Sequence, residues 1–295
     1  MEPKNNQRIL IKILRQICRE KKIKMTTFSQ DWIIRLEKAD QVRHIYGYDF
    51  DLNPATAQLI AKDKSATSDL LGFADIPHVE HRLFLHPNQA EYISSVGNWP
   101  EIINFAQKHN FNLVCKPNQG TGGNGVFHVQ DQLSLEKTVH QLFSSHRAIC
   151  LSPFENISHE YRVYLLNNKT HLIYEKILPT YPEEGLTPTW KHNLGQGASP
   201  KIITDKTLLE KLKKLAQVTA KTLDLFFGAI DIINSDNKLM VLEVNSGIMM
   251  ESFAGFSTKN YNIAKSIYSK ALTLTFEKNK LVFPCDKHNC LLGSP

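Results

Sequence analysis

The chain has 295 residues, 42% of them hydrophobic and 22% charged, and a net charge of +6. That is room for one large core or two modest ones, and the mild basic balance permits an anionic ligand such as a nucleotide. It excludes a membrane span, since no apolar run is long enough, and it falls short of a nucleic-acid footprint, since no Lys/Arg block is interleaved with aromatics.

Five cysteines are present, an odd number, and the opening MEPKNNQRILIKIL has no signal-peptide layout. Both points argue against a disulfide framework, and the expected location is the cytoplasm. Cys285 and Cys290 flank His288 but lack a second ligand pair, so a polar tail is the better reading than a zinc site.

In chain order, Ile9, Leu10, Ile13, Leu14 and Ile17 recur at helical spacing, which predicts a helix over 7–22 packed on a small sheet. The basic Arg19–Lys24 cluster ends it and reads as a solvated helix end. Short strands are expected around Ile23–Phe28 and Ile45–Tyr48. Pro54 opens a helix through Thr56–Ala61, and others cover Ser65–Leu71 and Glu101–Lys108. Asn112–Cys115 is a strand ending at Lys116.

Residues 116–129, KPNQGTGGNGVFHV, carry four glycines within six positions. Gly120, Gly122 and Gly125 fit the letters GxGxxG, but an alternating strand follows where that motif needs a helix. No Gly-Lys-Ser/Thr closes the loop either. The stretch therefore reads as a glycine-rich hairpin with a lysine at its base. Its backbone N–H groups can cradle phosphate oxygens; a merely flexible hairpin is the alternative.

A helix over Leu133–Phe143 and a strand over Ala148–Leu151 follow. Tyr161–Leu166 and His171–Ile177 pair through Asn167-Asn168-Lys169, with Glu175 and Lys176 on opposite faces. Residues 178–200 form a long polar loop whose WKHNLGQG segment suits ligand contact. Leu208–Leu223 and Tyr261–Thr275 are helices.

Between those last two helices, Ala229–Ile233 and Leu239–Val244 read as a hairpin. With an odd loop of Asp236, Asn237 and Lys238, Asp231 lies across from Glu243, and Asn245 shares their face. Two carboxylates and an amide among apolar residues suit a divalent cation, and the all-oxygen set suits Mg²⁺. A surface hairpin with solvated acids is the alternative.

The order of these parts resembles the ATP-grasp superfamily, and within it the carboxylate–amine ligases of the ribosomal-protein glutamate ligase type. The resemblance covers about residues 59–275. It implies an α+β fold in which two α+β subdomains clamp ATP. A small α/β pre-ATP-grasp region (1–58) would precede them, and a C-terminal tail (276–295) would follow.

Position by position, the resemblance implies Lys64 and Lys116 as nucleotide lysines. Gly120, Thr121, Gly122, Gly123, Asn124 and Gly125 would form the mobile loop over the β- and γ-phosphates. Pro153, Phe154 and Glu155 match the adenine hinge, and Glu160 the ribose acid. Arg162 and Lys176 would line the phosphates, with Asn193 near triphosphate and substrate. Asp231, Glu243 and Asn245 match the ligands of Mg²⁺ or Mn²⁺.

Two positions depart from the pattern. Pro153 replaces the usual hinge acid, leaving adenine to the main chain. Ala229 stands where D-alanine ligases carry an arginine. The implied activity is amide formation from a carboxylate and an amine through an acyl phosphate. The amine would be an amino acid, peptide or protein tail, and neither nucleic acid nor membrane is an expected partner. The alternatives are an inositol phosphate kinase-like enzyme and a non-catalytic nucleotide-binding module. Oligomeric state is not set by the sequence.

Overall fold

The computed structural model describes residues 7–93, 98–120, 122–178, 194 and 197–277. Helix α1 (Ile9–Glu20) packs on an antiparallel sheet of β1 (Lys24–Phe28), β2 (Ile33–Lys38) and β3 (Gln41–Tyr46). The sequence reading missed β2, although Ile34 and Leu36 alternate into the core. Helices α2 (Ala55–Lys62) and α3 (Lys64–Phe73) follow, then β4 (Arg82–Leu85) and α4 (Asn98–Lys108). Next come β5 (Leu113–Pro117), β6 (Phe127–Val129), α5 (Gln132–Phe143) and β7 (Ala148–Pro153). Strands β8 (Ile157–Leu166), β9 (Lys169–Ile177) and β10 (Ser199–Ile202) precede α6 (Lys206–Thr222). The described chain ends with β11 (Phe227–Ser235), β12 (Lys238–Asn245), α7 (Glu251–Gly255) and α8 (Thr258–Glu277).

Two further sheets organise the molecule. One runs β4-β7-β5-β6, the other β10-β9-β8-β11-β12. The first is covered by α4 and α5 through Phe84, Phe105, Leu113, Leu135 and Ile149. The second is buried on both faces, as the near-continuous apolar run of β11 requires. One face meets α6 through Val163, Ile230, Ile232, Leu212 and Ala216. The other meets α1, α7 and α8 through Tyr164, Tyr174, Phe227, Ala229 and Tyr268. The strands and α-helices missed from sequence are β2, β4, β10 and α7. Apart from β2 they are four or five residues long, and β10 contains Pro200 on a sheet edge, where proline is tolerated.

The N-terminal segment is tied to the five-stranded sheet by polar bonds as well as by core. Asn53 donates to the Phe227 carbonyl at 2.7 Å and accepts from the Phe226 and Phe227 amides at 2.8 Å. Helix α1 has no cap from its own flank. The Glu251 carboxylate instead accepts from the Ile9 amide at 2.6 Å, the Leu10 amide at 3.1 Å and the Tyr48 hydroxyl at 3.0 Å. An acid at a helix N-terminus satisfies orphan donors and meets the positive end of the dipole. Glu251→Ala is therefore expected to cost about 1–3 kcal/mol, a lost cap plus buried amides left unpaired, read as a lower urea midpoint.

Candidate functional site

The β11–β12 hairpin aligns its two acids by a route the sequence did not reveal. Its loop has two residues, not three: Ser235 pairs with Lys238, and Asp236 and Asn237 take φ of +48° and +61°. That is the left-handed geometry of a type I′ hairpin turn. An unbroken register would then set Asp231 opposite Leu242. The register shifts instead after Asp231, so Ile232 faces Val241 while Asp231 faces Glu243. Leu242 is the extra residue of a β-bulge, and the bulge restores the acid pair.

Asp231 is 2% exposed and sits in a four-residue ionic array. Arg162, its cross-strand partner on β8, grips it bidentately, Nε to Oδ1 at 2.7 Å and Nη2 to Oδ2 at 2.6 Å. Lys176 Nζ on β9 lies 3.2 Å from Oδ2 and also donates to Glu160 Oε1. Glu160 and Arg162 are two residues apart on β8 and so share a face. Among the described residues two cations face two anions, and pairing is the condition for burying such charges. Glu175 points the other way, to His159 at 2.5 Å and Lys201 at 3.8 Å.

Burial alone would raise the Asp231 carboxyl, but Arg162 and Lys176 prevail and hold it at about 2 against an ordinary 3.8. A depressed folded-state pKa contributes stability that is complete above the unfolded value and is lost as pH falls through the folded one. The expected outcome is a Tm that declines between pH about 4 and 2, a decline that Asp231→Asn flattens.

Across from this array lie the glycine loop and two lysines. Strands β5 and β6 pair antiparallel, Leu113 to Val129 and Cys115 to Phe127, as the hairpin reading required. Gly122, Gly123 and Gly125 take φ of +74°, +73° and +65°. A side chain is strained in that region, and a Cβ on Gly125 would also press Pro117 at 3.2 Å. Lys64 opens α3, whose N-cap is Asp63, accepting from the Ala66 amide at 2.9 Å. Lys64 Nζ donates to the Gly120 carbonyl at 3.2 Å and lies 3.8 Å from Glu243 Oε1. It thus touches both the glycine loop and the acidic hairpin.

Lys116 is 8% exposed. Burial pushes its ammonium pKa down; Cys150 and Glu243 act in the opposite sense. Among the described residues no hydrogen bond or ion pair satisfies its Nζ. A desolvated cation without an anion is a place for an anionic ligand.

Asn118 was missed from sequence. It is 2% exposed, its Oδ1 accepts from the Ser65 amide at 3.1 Å, and its carbonyl accepts from the Lys64 amide at 3.2 Å. It pins the start of α3 to the end of β5 and so sets Lys64 beside the loop. The only sequence signal was an amide side chain one residue past Lys116-Pro117.

Of the residues expected at the hinge, Pro153 ends β7 and Phe154 and Glu155 follow it. The Phe154 amide donates to the Asn112 carbonyl at 3.0 Å, and the Phe154 ring stacks on His128 with centroids 3.8 Å apart. That amide is committed to the sheet, and Pro153 has none. The expected main-chain contacts to adenine are thereby narrowed, at the amides, to Glu155. Thr121, Asn193, Lys191, His192, Cys285 and Cys290 lie outside the described residues.

The donor set fits a hard cation. Glu243 keeps a side chain 31% exposed, and Asp231 has lone pairs beyond those its cations use. Asn245 presents a buried Nδ2 with no partner among the described residues, and a half-turn of the amide offers oxygen at the same place. Among the described residues no three His, Cys, Asp or Glu converge as a metal cluster, so this pair-plus-amide is the candidate. No described helix is long and apolar enough to cross a membrane.

Comparison with known proteins gives concordant findings. The family model of the RimK-like ATP-grasp domain matches residues 61–270. The chain is 27% identical over 167 residues to the tetrahydromethanopterin:alpha-L-glutamate ligase of Methanocaldococcus jannaschii, covering 54% of this chain and 53% of that one. It is 26% identical over 197 residues to a probable alpha-L-glutamate ligase of Haemophilus ducreyi, covering 66% and 57%. The chain thus spans little more than half the length of these curated relatives. Among solved structures, the D-alanine–D-alanine ligase of Bacillus anthracis superposes with a TM-score of 0.57 at 17% identity, covering 77% of this chain and 72% of that one. A bifunctional glutathione synthetase of Pasteurella multocida gives 0.54 at 16% identity, covering 90% and 44%. At such identities the likeness speaks for the fold, which is that of the ATP-grasp proteins.

Proposed function

This chain belongs to the RimK-like ATP-grasp family, and from that premise we propose that it is an ATP-dependent carboxylate–amine ligase. The observation that carries the reading is Lys64, whose ammonium meets the glycine loop at Gly120 and the acidic hairpin at Glu243. One cation joins the two parts that would grip a triphosphate from either side.

In this reading Lys64 and Lys116 neutralise phosphate charge, and the 120–125 loop, including Thr121 and Asn124, closes over the β- and γ-phosphates. Glu155 offers the hinge amide to adenine, flanked by Pro153 and Phe154. Asp231, Glu243 and Asn245 hold Mg²⁺ or Mn²⁺. Bound there, the ion would supply charge neutralisation on the phosphates. Arg162 and Lys176 border the same ground, and Asn193 is carried over from the resemblance as a residue serving triphosphate and substrate. Glu160 accepts from Lys176, so its proposed role is to aim that lysine rather than to meet ribose.

The reaction asks little covalent work of the protein. A carboxylate oxygen of the acid substrate attacks the γ-phosphorus and ADP leaves. The amine then attacks the acyl carbon and phosphate leaves, giving an amide. Catalysis rests on positioning, charge neutralisation and exclusion of water by the glycine loop.

The names of the curated relatives make glutamate the first amine to try. The test is a panel of acids with amino acids and short peptides, supplied with ATP and Mg²⁺. Equal ADP and free phosphate, released only when acid and amine are both present, is expected. ADP without free phosphate would mean a kinase, and no ADP under any pairing would contradict turnover.

A further inference from the structure

His81 lies outside every role assigned above, and it is built into the same corner. It is 4% exposed. Its Nδ1 lies 2.8 Å from the Val79 carbonyl, an acceptor only, so Nδ1 carries the hydrogen. Nε2 is left with a bare lone pair, buried and without a partner among the described residues. A buried acceptor without a donor is costly, and such groups call for an explanation.

The surroundings supply the donor. The His81 amide donates to Ser68 Oγ at 2.9 Å, which fixes the residue to α3. Lys64 and Ser68 are one turn apart on that helix and lie on one face. Lys64, Ser68, His78, His81 and Glu243 line one cavity of about 10 Å³, the room of a single water. Burial and the charges of Lys116 and Lys64 push the imidazole well below its ordinary pKa, which keeps the lone pair available.

We propose that His81 is a positioning residue of the nucleotide site, its Nε2 accepting a hydrogen bond from the one water the cavity admits, which in turn accepts from the Lys64 ammonium. The bond steers Lys64 between Gly120 and Glu243 and holds it there for the incoming phosphates. A neutral acceptor suits this task better than a carboxylate, which would cancel the charge the phosphates need. The proposal rests on the nucleotide reading of the site.

The test is ADP binding by calorimetry with the full chain, together with Tm. His81→Leu removes the acceptor at similar bulk and is expected to weaken ADP about tenfold. His81→Gln carries an acceptor to nearly the Nε2 position and is expected to stay within about threefold of wild type. Combining His81→Leu with Lys64→Met should add little to the loss from Lys64→Met alone, since both remove one interaction. If the leucine variant does not fold, His81→Asn, which is too short to reach, takes its place. Wild-type affinity in the Leu or Asn variant, a Gln variant as weak as Leu, or additive losses would overturn the proposal. Absence of ADP binding by wild type would instead overturn the nucleotide reading on which it stands.

Discussion

Lys116→Met is expected to stabilise the ligand-free protein by about 1–2 kcal/mol while weakening nucleotide binding by about 10- to 100-fold. The two effects have one cause. Lys116 is 8% exposed, and burial is the leading influence on its ammonium, with no bonded anion among the described residues to offset it. An uncompensated buried charge costs stability, and methionine fills similar length without charge. In the proposed nucleotide reading the same ammonium would supply a charge-assisted hydrogen bond to phosphate. The pH dependence follows in sign. With the folded-state pKa below the ordinary 10.5, the unfolded chain binds more protons in the alkaline range just under that value. Lys116 thus makes stability rise with pH there. The Tm advantage of Lys116→Met should accordingly shrink as pH rises toward 10.5. A Met variant less stable than wild type, or one with unaltered nucleotide affinity, contradicts this account.

Glu243→Gln and Asp231→Asn are expected to part company in stability while both abolish turnover. From sequence, the two acids looked equivalent. In the fold, Asp231 is the anion that balances Arg162 and Lys176. Neutralising it removes the carboxylate that both Arg162 and Lys176 contact, a loss worth about 3–5 kcal/mol when one partner of a buried pair is removed. Glu243 has a side chain 31% exposed and, among the described residues, one ion pair at 3.8 Å, so its neutralisation should cost under about 1 kcal/mol. Differential scanning calorimetry separates the two. Glu243→Gln is thus the variant in which lost turnover reports on the site and not on the fold. Equal Tm losses in both variants would contradict the ionic array.

The contrast between these acids shows where sequence stopped. Alternation placed Glu175 opposite Lys176, because a strand's period of two is local. The bulge at Leu242 was hidden, since Leu239 to Leu242 are all apolar and leave no alternation to mark an extra residue. The three-residue loop gave the correct acid pair from an incorrect turn, two errors that cancelled. The glycine-rich hairpin in 116–129 was readable because positive φ demands particular residue types. Asn118, His81 and Glu251 were not, because their partners lie on other elements: Ser65, Ser68, and the α1 amides more than 240 residues away. Long-range hydrogen bonding leaves no periodic trace.

The central claim is that a triphosphate lies between the glycine loop and the β11–β12 hairpin. Co-crystallisation with Mg²⁺ and a nonhydrolysable ATP analogue tests it most directly. The account requires β- and γ-phosphate oxygens at Lys64, Lys116 and the 122–125 amides, with the ion on Asp231 and Glu243. An analogue bound elsewhere, or a filled cleft whose ion avoids both acids, would contradict it.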